Sequence, residues 1–187
     1  MRVIAGSAKG SRLRVVDGPG LRPTGDRQRE TLFNVIQGLV ADARVVDVFA
    51  GSGALGIEAL SRGATSCVFI ERNRKAAAAI EFNLEHCHLD NRGRVETADW
   101  RVGLRRLAGA GEQFDLLLAD PPWADDAVAG WLGSLASVAA PEALLCLERR
   151  VGTEVPASND WHAVRVLSVG DTAFHFMDRI VPTDGDC

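Results

Sequence analysis

The chain of 187 residues is defined first by what it lacks. It has no apolar run approaching the ~18 residues that a membrane-spanning helix requires, so no transmembrane segment is expected. Its N-terminus, Met1-Arg2-Val3-Ile4-Ala5-Gly6, contains no apolar h-region, so no secretory leader is expected. Cysteine is scarce: Cys67, Cys87, Cys146 and Cys187 show no paired spacing. That excludes a disulfide framework and suits a reducing cytoplasm. Cys67 and Cys146 sit in apolar runs and read as small buried residues. The cluster His86-Cys87-His88 falls near the end of a predicted helix with no second ligand group nearby, so no metal site is expected. Repeats and low-complexity segments are absent as well. An excess of positive charge is also missing: the net charge of −4 argues against a protein that coats nucleic acid nonspecifically.

What is present is a sizeable apolar fraction, 47%, in a length suited to one compact catalytic domain. The charge is unevenly placed. Residues 1–30 carry Arg2, Lys9, Arg12, Arg14, Arg22, Arg27 and Arg29 against Asp17, Asp26 and Glu30, and the remainder is acidic. A basic end on an acidic body suits an arm that contacts phosphates; a solvated terminal hairpin is the simpler alternative.

Two short β-type runs, Arg2–Ala5 and Arg12–Val16, flank a turn from Gly6 to Gly10 and predict a basic β-hairpin. A Gly/Pro-rich connector, Asp17–Pro23, follows. The expected division is therefore 1–23, hairpin and connector, and 24–187, catalytic domain. Thr24 is placed to cap a helix from about Asp26 to Val40, with Leu32, Phe33, Val35, Ile36 and Leu39 on its buried side. Strands are then expected near 44–49, 66–71, 94–98, 114–119 and 143–148, alternating with helices near 54–62, 73–88, 101–109 and 126–139. Trp161–Val169 and Ala173–Val181 read as a final strand pair. The alternation implies an α/β fold: a mostly parallel seven-stranded sheet, covered on both faces, with an antiparallel C-terminal edge.

The motifs lie at strand ends. Asp120-Pro121-Pro122-Trp123 follows the apolar run Phe114–Ala119. The acid can accept a hydrogen bond from an exocyclic amine, the prolines fix φ and present carbonyl acceptors, and the aromatic offers a stacking face. This combination suits methylation of a nucleobase amino group; a Pro-terminated strand with an incidental acid is the plainer alternative. Upstream, Asp47-Val48-Phe49-Ala50-Gly51-Ser52-Gly53-Ala54-Leu55-Gly56 reads as a strand end, a glycine turn and a helix start. Gly51, Gly53 and Gly56 satisfy the dinucleotide pattern, and Glu71 lies about 20 residues on, where an acid binds ribose hydroxyls. Asp47 favours S-adenosylmethionine over a nicotinamide cofactor, because a carboxylate there can reach an ammonium and would repel a pyrophosphate. Asp99 and Trp100 end a third strand and suit the adenine amine and ring, though Asp is also a common helix cap. In a doubly wound sheet, Asp47, Glu71, Asp99 and Asp120 would gather at the carboxyl ends of the strands.

These motifs together resemble the bacterial 16S rRNA guanine-N2 methyltransferase family of the RsmD type. The most specific piece is Leu21-Arg22-Pro23-Thr24-Gly25-Asp26-Arg27-Gln28-Arg29-Glu30, joined to the basic hairpin, the Asp47–Gly56 turn and Asp120–Trp123. The resemblance implies a Rossmann-like S-adenosylmethionine-dependent fold and methylation of the exocyclic N2 of one guanine in 16S rRNA of the small ribosomal subunit. It implies a catalytic set of Asp120, Pro121, Pro122 and Trp123. The cofactor residues would be Asp47, Phe49, Ala50, Gly51, Gly53, Leu55, Glu71, Arg72, Asp99 and Trp100, and the RNA contacts Lys9, Arg12, Arg14, Arg22, Arg27 and Arg29. Trp123 stands where Tyr or Phe is usual, and Gly25 where a second Thr is usual. A cytoplasmic monomer without membrane association is expected. Arg27 and Glu30 share a helix face and either order the site or form a minor ion pair. Glu148-Arg149-Arg150 either supports the site or is a solvated strand end. Rival readings are a DNA adenine-N6 methyltransferase, a protein glutamine methyltransferase, a non-catalytic rRNA-binding assembly factor and an NAD-dependent oxidoreductase.

Overall fold

Apolar runs bounded by glycines and acids become buried strands, and the periodic segments between them become the covering helices. The computed structural model describes residues 1–16, 25–121 and 128–181. The elements are α1 (Asp26–Val40), β1 (Arg44–Val48), α2 (Ala54–Ser61), β2 (Ser66–Glu71), α3 (Arg74–His86) and β3 (Gly93–Thr97). After them come α4 (Trp100–Gly109), β4 (Phe114–Ala119), α5 (Val128–Ala136), β5 (Ala139–Arg150), β6 (Trp161–Val169) and β7 (Thr172–Arg179). The strands form one 7-stranded sheet in the order β3-β2-β1-β4-β5-β7-β6. The first five strands pair in parallel, and β7 runs antiparallel between β5 and β6. The order reverses between β1 and β4, the topological switch point at which ligands collect in such sheets.

Alternation along each strand assigns the two faces. Val45, Cys67, Phe69, Leu116, Leu118 and Cys146 pack with Phe33 and Ile36 of α1, Ile57 of α2 and Ile80 of α3. Val46, Val48, Val68, Ile70, Leu117 and Leu145 pack with Leu104 and Leu107 of α4 and with Trp131 and Leu135 of α5. Each such side chain contributes about 2 kcal/mol when fully buried. Among the described residues, no helix is long and apolar enough to cross a membrane.

The basic N-terminal segment pairs antiparallel as the expected hairpin, over a shorter length than its two runs: the Val3 amide donates to the Ser11 carbonyl at 3.0 Å and the Leu13 amide to the Met1 carbonyl at 3.2 Å. These bonds flank a single antiparallel bridge, Arg2 to Arg12. Past that bridge the Ile4 and Ala5 amides donate to another acceptor, the Glu58 carboxylate, at 2.8 and 3.0 Å. Val3, Ala8 and Leu13 enter the same buried cluster as α1 and α2, so the segment is sewn onto the sheet's helical layer. Gly6, at φ +82°, lies so close to α2 that a Cβ would fall 1.8 Å from the Ser61 carbonyl oxygen.

Two expectations for α1 need correction. Gly25, not Thr24, occupies the N-cap position, and it caps without a side chain; Thr24 lies outside the described residues. Leu39 is 58% exposed, while Val40 is buried. The buried stripe Leu32, Ile36, Val40 advances by four, and Leu39 falls about 100° to one side of it. The strand end at Glu148 and Arg149 is also not solvated, since both side chains are buried. Cys87 is buried and His86 stacks on Phe82, and no cluster of three or more potential metal ligands occurs among the described residues.

Candidate active site at the switch point

Beyond Val48 the chain reverses through Phe49 (φ 66°), Gly51 (φ 56°) and Gly53 (φ 75°) before entering α2. The Gly53 amide donates to the Ala50 carbonyl at 2.7 Å, and the Ala50 amide donates to Ile70 at 3.1 Å, fixing the turn against β2. The glycines have different duties. A Cβ on Gly56 would sit 2.3 Å from the Phe69 ring, so that glycine lets α2 approach the sheet. A Cβ on Gly51 would meet only the Phe49 carbonyl oxygen, at 4.0 Å, so its backbone faces open space.

Asp47 is buried in β1 beneath the start of α2. Its carboxylate accepts from the Gly56 amide at 2.9 Å and the residue is 1% exposed. It therefore clasps the first turn of α2. Burial pushes its pKa up to about 8, with the charge of Glu71 adding and the Gly56 hydrogen bond opposing.

Glu71 ends β2 and reaches across to the turn. One carboxylate oxygen accepts from the Gly51 amide at 2.8 Å and the other from the Asn73 amide at 2.7 Å. Each oxygen keeps a further lone pair for a hydroxyl donor. Arg72 beside it is exposed. Asp99 is the N-cap of α4 and accepts from the Arg101 amide at 3.0 Å. Trp100 follows it, covered by the Arg101 guanidinium at 4.3 Å. Its ring lies 6.2 Å from Phe49, which in turn meets Trp131 edge-on at 6.2 Å. Ala50 and Leu55 are buried beneath the turn.

On the other side of the switch point, Ala119 of β4 is the register partner of Val48. Asp120 and Phe49 are therefore the next residues out along adjacent parallel strands, which sets the acid beside the glycine turn. Asp120 is half-buried and Pro121 is buried. Pro122 and Trp123 lie outside the described residues.

Of the expected RNA contacts, Lys9, Arg12, Arg14 and Arg27 are exposed, and Arg22 lies outside the described residues. Arg29 must be removed from that group. It is fully buried, and its guanidinium donates to the Arg2 carbonyl and to the Asp26 carboxylate. Desolvation lowers its pKa and the Asp26 charge opposes that shift. The periodicity carried the signal, since Arg29 precedes Leu32, Phe33 and Ile36 on one helical stripe.

Other residues gave no sequence signal. Glu58 is 1% exposed and gathers the Ile4 and Ala5 amides with the Arg62 guanidinium, whose Nε is 2.7 Å away. Ser61 donates to the Ala5 carbonyl at 2.6 Å and accepts from the Ala8 amide at 3.0 Å. Asn83 contacts both the basic segment and the glycine turn. All three sit in ordinary helical patterns, and their partners in the N-terminal segment are distant in sequence.

A doubly wound sheet with this strand order, an open glycine turn and acids at three strand ends defines the class of S-adenosylmethionine-dependent methyltransferase folds. The family model described as "Conserved hypothetical protein 95" matches residues 1–178, and the chain belongs to that family, the one of RsmD-type proteins. Ribosomal RNA small subunit methyltransferase D of Escherichia coli (strain K12) is 35% identical over 196 residues, covering 100% of this chain and 93% of the relative. The protein of the same name from Haemophilus influenzae is 30% identical over 183 residues, covering 93% and 91%. The solved structure "Putative methyltransferase yhhF from Escherichia coli" superposes with a TM-score of 0.79 at 34% identity, covering 96% of this chain and 97% of that one.

Proposed function

We propose that the protein methylates the exocyclic N2 amine of one guanine in 16S rRNA within the small ribosomal subunit, using S-adenosylmethionine. The observation that carries this reading is the pairing of Val48 with Ala119, which sets Asp120 and Pro121 beside the glycine turn. Relatives named ribosomal RNA small subunit methyltransferase D support the substrate class. In this reading residues 1–23 form an RNA-contacting arm on a catalytic domain of 24–187, and the enzyme works as a cytoplasmic monomer.

The residues present fit the cofactor. The Gly51 backbone opens outward, and the Glu71 carboxylate sits beside it with lone pairs suited to ribose hydroxyls. Phe49 and Trp100 supply aromatic surface next to Asp99, which suits a purine and its amine. Asp47 takes the supporting role of holding α2 against β1. When bound, S-adenosylmethionine supplies a methyl group already activated on a sulfonium centre.

The chain's residues then have a task of positioning. A guanine N2 lone pair is delocalised into the ring, so the amine is a weak nucleophile. The Asp120 carboxylate and the Pro121 carbonyl accept hydrogen bonds from its two N–H groups and favour a pyramidal nitrogen with its lone pair aimed at the methyl. With the bound cofactor supplying the methyl group, Asp120 would accept the surplus proton from the guanine nitrogen and pass it to water. Orientation supplies most of the rate, and no strong base is needed. Trp123 offers a face for a guanine that has left its stack.

The test is transfer of radiolabelled methyl to 30S particles from cells lacking this gene, followed by nucleoside analysis. Labelled N2-methylguanosine in 16S rRNA is the expected result. Label in DNA or in protein instead moves the assignment to another amino-methyltransferase. Bound cofactor with no label anywhere leaves a non-catalytic assembly factor.

A further inference from the structure

Asn83 lies in the last turn of α3, fully buried, where an apolar residue would pack without needing partners. All of its polar atoms are used. Its Oδ1 accepts from the backbone amide of Arg14 at 2.7 Å, and its Nδ2 donates to the backbone carbonyl of Arg14 at 2.9 Å. The same Nδ2 donates to the carbonyl of Ser52 at 3.1 Å. Arg14 belongs to the basic segment, and Ser52 lies between Gly51 and Gly53 in the glycine turn. One buried amide therefore holds both. Arg14 itself points outward, its guanidinium 3.7 Å from the centre of the Phe82 ring. The hydroxyl of Ser52 meets the Met1 sulfur at 3.5 Å, a second contact between the turn and the segment.

We propose that Asn83 is a positioning residue that couples the RNA-facing segment to the cofactor turn. This rests on the function proposed above, in which the segment meets rRNA and the turn meets the cofactor. A ligand that orders the Gly51–Gly53 turn fixes the Ser52 carbonyl. Through Asn83 that order reaches the Arg14 backbone and the cation it presents. Close packing and a saturated amide leave the link little slack. The coupling is reciprocal by linkage, so rRNA binding tightens the cofactor site by the same factor. Loading with cofactor then favours engagement of the particle, and transfer of the methyl group does not depend on chance coincidence of the two ligands.

The experiment measures the affinity of S-adenosylhomocysteine by equilibrium dialysis, alone and with saturating 30S particles from cells lacking the gene. The wild-type protein is expected to bind on the order of five-fold more tightly with particles present. Asn83→Asp keeps an acceptor for the Arg14 amide but loses the amide group that donates to the Arg14 and Ser52 carbonyls; its ratio is expected to fall to about one while each ligand still binds alone. A buried carboxylate also burdens the fold, so the wild-type protein is examined in parallel by amide hydrogen exchange. S-adenosylhomocysteine is expected to slow exchange at the Arg14 amide. Equal affinity with and without particles, an unchanged Arg14 amide, or a folded Asn83→Asp variant that keeps the wild-type ratio would each overturn the coupling. Those results leave the methyltransferase reading intact if S-adenosylhomocysteine binds. Absence of any S-adenosylhomocysteine binding overturns that reading, and the coupling with it.

Discussion

The Glu71 carboxylate bridges two backbone amides, Gly51 at 2.8 Å and Asn73 at 2.7 Å, and so ties the end of β2 to the turn that leaves β1. Both amides need an acceptor. In Glu71→Gln one of the two faces an NH2 group, and the turn loses an anchor as well as the acceptor proposed for the ribose. S-adenosylhomocysteine affinity is expected to drop by about 10- to 100-fold, the equivalent of roughly 1.4 to 2.8 kcal/mol. Isothermal titration calorimetry reads this directly, and unchanged affinity would show that Glu71 serves only the backbone.

Asp47 makes stability depend on pH. Its carboxyl titrates at 3.8 in a free chain and at about 8 in the folded protein. The folded state therefore holds a proton that the unfolded state releases, and this group's contribution is fully present below about pH 4. It is lost as pH rises through about 8. Asp47→Asn has no such titration and keeps an oxygen for the Gly56 amide. The melting temperature of wild type minus that of Asp47→Asn should fall steadily between pH 5 and pH 8. A flat difference would mean that Asp47 titrates as an ordinary surface acid.

The sheet was legible because its apolar runs and glycine breaks are local signals: β2 and β4 occupy the expected 66–71 and 114–119. The hairpin was legible, but its strands are shorter than the runs that predicted them. Arg2–Ala5 has strand-like residues, but the Ile4 and Ala5 amides find their acceptor on a helix more than fifty positions away. Arg29 was misplaced because a cation was read by its charge and not by its phase on α1. Asp47 was correctly put at the switch point, but only three-dimensional structure reveals that its carboxylate faces Gly56. Composition locates groups at strand ends; it does not reveal which way they point.

Glu58 holds the N-terminal segment in place. Removing its carboxylate in Glu58→Ala strands the Ile4 and Ala5 amides and leaves the Arg62 guanidinium without its partner. Breaking such a buried group is expected to cost about 3 kcal/mol or more. Urea unfolding should show a lower midpoint, and limited proteolysis should cut within residues 1–16 before the rest of the chain. A segment that stays protected would mean that Val3, Ala8 and Leu13 suffice to dock it.

The proposed mechanism places Asp120 against the target amine and not against the cofactor. Asp120→Ala should abolish methyl transfer while S-adenosylhomocysteine affinity stays within about two-fold, a loss confined to turnover. Equal loss of cofactor affinity would show that Asp120 helps to build the glycine-turn site.

Arg12 and Arg29 carry the same charge within one basic stretch and should behave oppositely. Arg12 is exposed on the segment, and Arg29 is buried with its guanidinium on the Arg2 carbonyl and on Asp26. A phosphate contact releases counterions, so Arg12→Ala should weaken 30S binding and reduce the slope of log affinity against log salt by about one. Its unfolding midpoint should hardly move. Arg29→Ala removes a buried guanidinium together with two hydrogen bonds that join α1 to the segment, at an expected cost of about 2 to 4 kcal/mol. At a temperature where the variant remains folded, its salt slope should match wild type, because no phosphate reaches a sealed side chain. A reduced slope for Arg29→Ala with unchanged stability would mean that the segment opens on the particle and hands this cation to the RNA.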